Sequence, residues 1–144
     1  MLEPLLIGSL IIIFNMGLQC LAVIVMIRFL LLHWPFKNVA ATFASKYKIL
    51  SIVLAVLFVG HILQFMVWAG VFVLLDEFED FTTSFYHSIV NFSSLGYGDI
   101  VMSEEWRLLG ALEACNGILM FGLTTGTLLT VMINLFNPTQ KYKS

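Results

Sequence analysis

Phe85-Tyr86-His87-Ser88-Ile89-Val90-Asn91-Phe92-Ser93-Ser94-Leu95-Gly96-Tyr97-Gly98-Asp99 is the stretch on which the fold turns. It lies between two long apolar runs. It also lies within the segment from Asp76 to Glu105, which holds seven of the nine acidic residues and no Lys or Arg. Just before it, Asp80 can cap a helix start by accepting from free backbone amides. The helix expected over 81–92 is about 18 Å long at 1.5 Å per residue, too short to cross about 30 Å of hydrocarbon. The chain therefore descends partway and returns. The return passes through Gly96 and Gly98, which permit backbone dihedrals that other residues resist. Irregular backbone at that depth is tolerated only where it is buried in protein or lines a water-filled path.

The composition sets the surroundings. Of 144 residues, 60% are hydrophobic and 11% charged, against about 25% charged in soluble domains. Three segments exceed the roughly 20 apolar residues a spanning helix needs: about Leu5 to Leu32, about Ile49 to Leu75 and about Trp106 to Phe136. Arg28, Lys37, Lys46, Lys48, Lys141 and Lys143 cluster near the first inter-span loop and the C-terminal tail, which the positive-inside bias places in the cytoplasm. The acidic segment then faces outside, with the N-terminus outside and the C-terminus inside. His33, Trp34, Phe36 and Lys37 fit interfacial anchors, and Pro35 and Asn137-Pro138 fit helix stops. Cys20 and Cys115 sit far apart in apolar runs, a pattern of packing residues rather than of a disulfide or metal framework. The first residues carry no basic n-region, so a removable signal peptide is not expected. The sequence contains no nucleotide loop, metal-ligand cluster or catalytic triad, so no enzyme activity and no cofactor are expected.

The stretch from Ser94 to Asp99, with the helix before it and the span after it, resembles the pore helix and selectivity filter of tetrameric potassium channels. Their usual filter reads Thr-Val-Gly-Tyr-Gly-Asp; here Ser94 stands for the Thr and Leu95 for the Val. The resemblance covers roughly residues 50 to 136. It implies an all-α membrane protein with three transmembrane helices and a re-entrant pore helix and filter between the second and third, assembling as a fourfold tetramer. Residues 1–48 would be an N-terminal span and basic cytoplasmic loop, and 49–136 the pore module (outer helix 49–75, pore helix 81–92, filter 94–98, inner helix 106–136). Residues 137–144 would be a short tail without a regulatory domain. The resemblance assigns the carbonyls of Ser94, Leu95, Gly96 and Tyr97 as potassium ligands, the Ser94 hydroxyl as completing the innermost site, and Gly98 as the outer end of the filter. Tyr97 favours potassium over sodium.

The chain also departs from that family. Many members carry two Trp where this sequence has Tyr86-His87, one of them bonded to the Asp after the filter; Tyr86 can make that bond to Asp99 through its hydroxyl. Val90 stands where some members place a Glu behind the filter. His87 is either a pH sensor or a packing residue of the aromatic collar. Gly117 matches the glycine hinge of the inner helix, while Gly122 and Gly126 form a small-xxx-small face. Glu113 is a carboxylate inside a span, where Asp, Lys and Arg carry an insertion cost of about 2.5 to 3.5 kcal/mol. It could line a cavity, support the filter from behind, or pair with His61 or Gln64. One Arg in the first span is too few for voltage sensing. Asn15 and Gln19 can bond a neighbouring helix, and this span is expected to pack at the periphery.

The expected function is a potassium-selective channel in the cell membrane, with potassium as permeant ligand. Three further copies and membrane lipids are its partners; nucleic acid is not. The alternatives are a weakly selective cation channel, or a non-conducting membrane subunit built on the same module.

Overall fold

The computed structural model describes residues 2–33 and 42–136. The interfacial anchors at 34–37 and the helix stops at Pro35 and Asn137-Pro138 lie outside them. The described residues form four helices and no β-sheet: α1 (Leu2–His33), α2 (Phe43–Leu74), α3 (Phe81–Phe92) and α4 (Arg107–Phe136). Helices α1, α2 and α4 are long and apolar enough to cross a membrane, and α3 is a helix of 12 residues between the second and third of them.

Helix α2 starts at Phe43, ahead of the apolar run near Ile49. Ala44, Lys46 and Lys48 favour helix, and hydropathy does not count the two lysines; Lys46 lies 4.5 Å from the ring centroid of Phe136 on α4. Contacts fix the relative directions. Gly8 of α1 packs against Leu109 and Leu112 of α4, and Gln19 bonds Thr124 further along both helices. Helices α1 and α4 therefore run parallel, while α2, whose Gln64 bonds Gln19 and whose Gly60 lies against it, runs antiparallel to α1. The first span is thus packed against both other long helices.

The interior divides into two apolar clusters. One surrounds α3 and contains Trp68, Phe72, Phe92, Leu109 and Met120. The other, at the opposite end of the bundle, contains Met26, Leu30, Val53, Leu57 and Val131. Between them lie buried polar side chains, including Gln19, His61 and Gln64.

The turn after α2 sets the approach to α3. The Glu77 amide donates to the Phe72 carbonyl and the Asp76 amide to Val73, both at 3.0–3.1 Å. Asp76 has φ 54°. This is a Schellman ending with a left-handed residue just past the cap. Glu77 then accepts from the Ser103 amide at 2.9 Å and hydroxyl at 2.5 Å, which ties the chain leaving α2 to the chain entering α4.

Candidate functional site

Helix α3 begins as its sequence requires. The Asp80 carboxylate accepts from the Thr83 amide at 2.8 Å and the Thr83 hydroxyl at 2.7 Å, and these bonds hold its pKa below the ordinary carboxylate value. One stripe of the helix, Ser84, His87, Ser88 and Asn91 at helical spacing, is polar and faces inward.

Helix α4 meets that stripe with a stripe of its own: Gly110, Glu113 and Gly117. A Cβ on Gly110 would lie 2.9 Å from the Asn91 amide nitrogen. Glu113 is fully buried, and its Oε1 lies 2.5 Å from the Ser88 hydroxyl, which is also 3.1 Å from the Phe65 carbonyl of α2. Glu113 therefore sits among α2, α3 and α4, in contact with the helix that precedes the candidate filter. The partners weighed in the sequence are engaged elsewhere: His61 with Thr124 and Gln64 with Gln19. At Gly117 the two helices touch through their backbones, because a Cβ there would overlap the Phe92 carbonyl. Gly117 thus serves close packing against the end of α3. Gly122, by contrast, has open space where its Cβ would be.

The end of α3 is the start of the glycine-containing strand. The Ser94 amide donates to Asn91 at 2.8 Å and the Leu95 amide to Val90 at 3.0 Å, a second Schellman ending with Ser94 at the left-handed position, φ 58°. Such a conformation costs a non-glycine residue about 1 to 2 kcal/mol. Gly96 follows at φ 58° and Gly98 at φ 73°. Positive φ thus recurs at every second residue over 94–98, while Leu95 and Tyr97 between them keep negative φ. Alternation between left- and right-handed conformations turns successive amides to one side and successive carbonyls to the other. Among the described residues, no backbone amide donates to the carbonyls of Ser94, Leu95, Gly96 or Tyr97. The whole strand 94–99 is exposed in the single chain, with Leu95 at 55% and Tyr97 at 64%.

Beyond the strand the chain is held at two points. The Tyr86 hydroxyl donates to Asp99 at 2.7 Å, which lowers the Asp99 pKa and raises that of Tyr86. His87 reaches the Ile100 backbone, and burial lowers its pKa. It packs edge-on against Phe72 and beside Phe78, and its Nε2 lies 2.8 Å from the Asn91 side-chain nitrogen. Val90 is buried and contributes its carbonyl, the acceptor for Leu95. Ser88 and Asn91 were missed by the sequence reading, although their spacing along the α3 stripe was the available signal.

A family model described as an ion channel matches residues 52–134, which takes in most of α2, all of α3 and the strand, and most of α4. The chain belongs to this ion-channel family. No curated protein and no solved structure matches it. The channel is an integral membrane protein, with three helices able to cross the bilayer. The family region begins within α2, so α1 is an addition to the matched module.

The contrast between two glycines of the channel's α4 can be measured. Gly117→Ala forces α3 and α4 apart and should lower stability by about 1 to 3 kcal/mol, as overpacked cores do. Gly122→Ala, with free space and a better helix former, should leave the thermal unfolding midpoint in detergent unchanged or slightly raised.

Proposed function

We propose that this channel conducts potassium selectively, through a pore enclosed by four copies of the chain. The observation that carries the reading is the alternation of φ over Ser94, Gly96 and Gly98, together with the unpaired carbonyls of Ser94 to Tyr97. In a membrane such carbonyls need polar partners. Four strands around an axis give rings of oxygens that replace the hydration shell of potassium, and ions advance by knock-on between adjacent sites. One chain offers one strand, so a single copy cannot enclose the path. Leu95 and Tyr97, exposed in the single chain, are then covered by neighbouring copies. Helix α3 is re-entrant in this reading and enters from the outside, with the N-terminus outside and the C-terminus in the cytoplasm, following the Lys and Arg distribution.

In this pore Glu113 is a support rather than a cavity charge. It holds Ser88 on one side of α3 while Gly117 carries the backbone at its end. The Tyr86–Asp99 bond and the His87 collar fix the outer end of the filter. Ser94 offers its hydroxyl at the inner end.

The test is cation flux into liposomes holding the purified protein. Wild type should pass potassium in strong preference to sodium, and Gly96→Ala, whose Cβ resists the positive φ, should lose the flux. Equal potassium and sodium flux would leave a weakly selective cation channel. No flux over a range of voltage and pH would return the chain to a non-conducting subunit. A second expectation concerns pH. The Tyr86 hydroxyl keeps Asp99 charged at pH values below its ordinary titration. Tyr86→Phe removes that bond, so Asp99 takes up its proton at higher pH. The fall of potassium current on acidification should move to higher pH in the variant, measured as current against external pH.

A further inference from the structure

Halfway along the bundle, between the two apolar clusters, three helices meet at one hydroxyl. Gln64 of α2 donates from Nε2 to Gln19 Oε1 of α1 at 2.7 Å. Gln19 in turn donates from its own Nε2 to the Thr124 hydroxyl of α4 at 3.1 Å. His61 Nε2, again from α2, lies 2.9 Å from the same hydroxyl. Gln19 and Gln64 are fully buried. A Cβ at Gly60 would lie 2.8 Å from Gln19 Oε1, so the α1 amide is seated directly against the α2 backbone.

This belt coincides with a change in how α4 is held. Up to Gly117 the helix is fixed to α3 through backbone contact and through Glu113. Past that level, Gly122 and Gly126 have open space around them, and Thr124 lies midway between the two. His61 Nδ1 and Gln64 Oε1 are buried at the belt without a hydrogen-bond partner, which leaves capacity for a second arrangement of the same groups. In lipid the apolar contacts further along α1, α2 and α4 have little hydrophobic drive, and interhelical hydrogen bonds are modest enough to exchange. The belt hydrogen-bonds the second half of α4 to α1 and α2, beside the apolar contacts of Val131 and Leu135 and the Lys46–Phe136 contact nearer its end.

We propose that α1 is a gating element, and that the Gln64–Gln19–Thr124–His61 chain is the latch that holds α4 in the closed position. This rests on the pore reading above. Bending of α4 at Gly122 carries Thr124 away from Gln19 and His61, and the inner end of the helix leaves the pore axis. The latch is released and remade without disturbing the filter, because Gly117 and Glu113 stay with α3.

The test is single-channel recording of the purified channel in planar bilayers. Thr124→Val keeps the shape of the side chain and removes the hydroxyl, and Gln19→Leu removes the α1 partner. Each should raise open probability at least about threefold, the factor that one average transmembrane hydrogen bond represents. Unitary conductance and the preference for potassium over sodium should stay as in wild type. Thr124→Ser, which restores the hydroxyl, should restore wild-type gating. If Gln19→Leu does not insert, the near-isosteric Thr124→Val decides alone. Open probability unchanged or lowered in both variants would overturn the latch and leave the pore intact. Altered conductance or ion preference at unchanged open probability would put Thr124 in the ion path and overturn it equally. Absence of potassium current from wild type and variants alike would overturn the pore reading, and the latch with it.

Discussion

A peptide carbonyl at membrane depth has no solvent to bond, and the arrangement of this channel follows from that constraint. Helices satisfy it internally along their length. The exception is the strand that follows α3. Its first amides turn back to cap the helix, and its carbonyls from Ser94 to Tyr97 receive no backbone amide among the described residues. A backbone of this kind persists only if the rest of the chain holds it and something polar faces it. The inward-facing polar stripe of α3, the fit of α4 against it and the two ties beyond the strand are the means of holding. A file of potassium ions, under the reading proposed here, is what faces it.

The first half of the inner helix is shaped for this task. Gly110, Glu113 and Gly117 recur on one face of α4 and meet Asn91, Ser88 and the Phe92 carbonyl in turn. Two of these contacts depend on the lack of a side chain, and the third on a carboxyl that accepts from the Ser88 hydroxyl. Strain is accepted where the two elements join: Ser94 adopts a conformation that glycine would enter freely, and keeps a hydroxyl there in return.

Much of this was legible in the sequence, because it is local. Asp80 and Thr83 announce the start of α3, the apolar runs announce the long helices, and the spacing of Gly96 and Gly98 announces the alternating strand. The Tyr86–Asp99 bond was suggested by the family resemblance, in which a Trp at this place bonds the Asp after the filter, and the Tyr86 hydroxyl makes it here. What depended on the register between distant helices was not legible. The sequence shows a carboxylate at Glu113, but not that Ser88 rather than His61 or Gln64 lies opposite. Gly117 reads equally as a hinge or as a close-packing residue, and only the packing shows the Phe92 carbonyl against it. Asn15 and Gln19 promised a neighbour for the first span; that Gln19 bonds both Gln64 of α2 and Thr124 of α4, while Asn15 is buried without a hydrogen-bond partner among the described residues, could come only from the packing. The early start of α2 was missed for another reason: Ser45, Lys46 and Lys48 interrupt the apolar run, although Lys favours helix.

The central claim is that the carbonyls of Ser94 to Tyr97 from four chains ring a potassium path. Diffraction from crystals of the channel soaked in thallium, read from the anomalous signal, tests this most directly. The account predicts a column of ion density on a fourfold axis, level with those four carbonyls. Absence of a fourfold axis, or ion density lying away from residues 94–97, would contradict it.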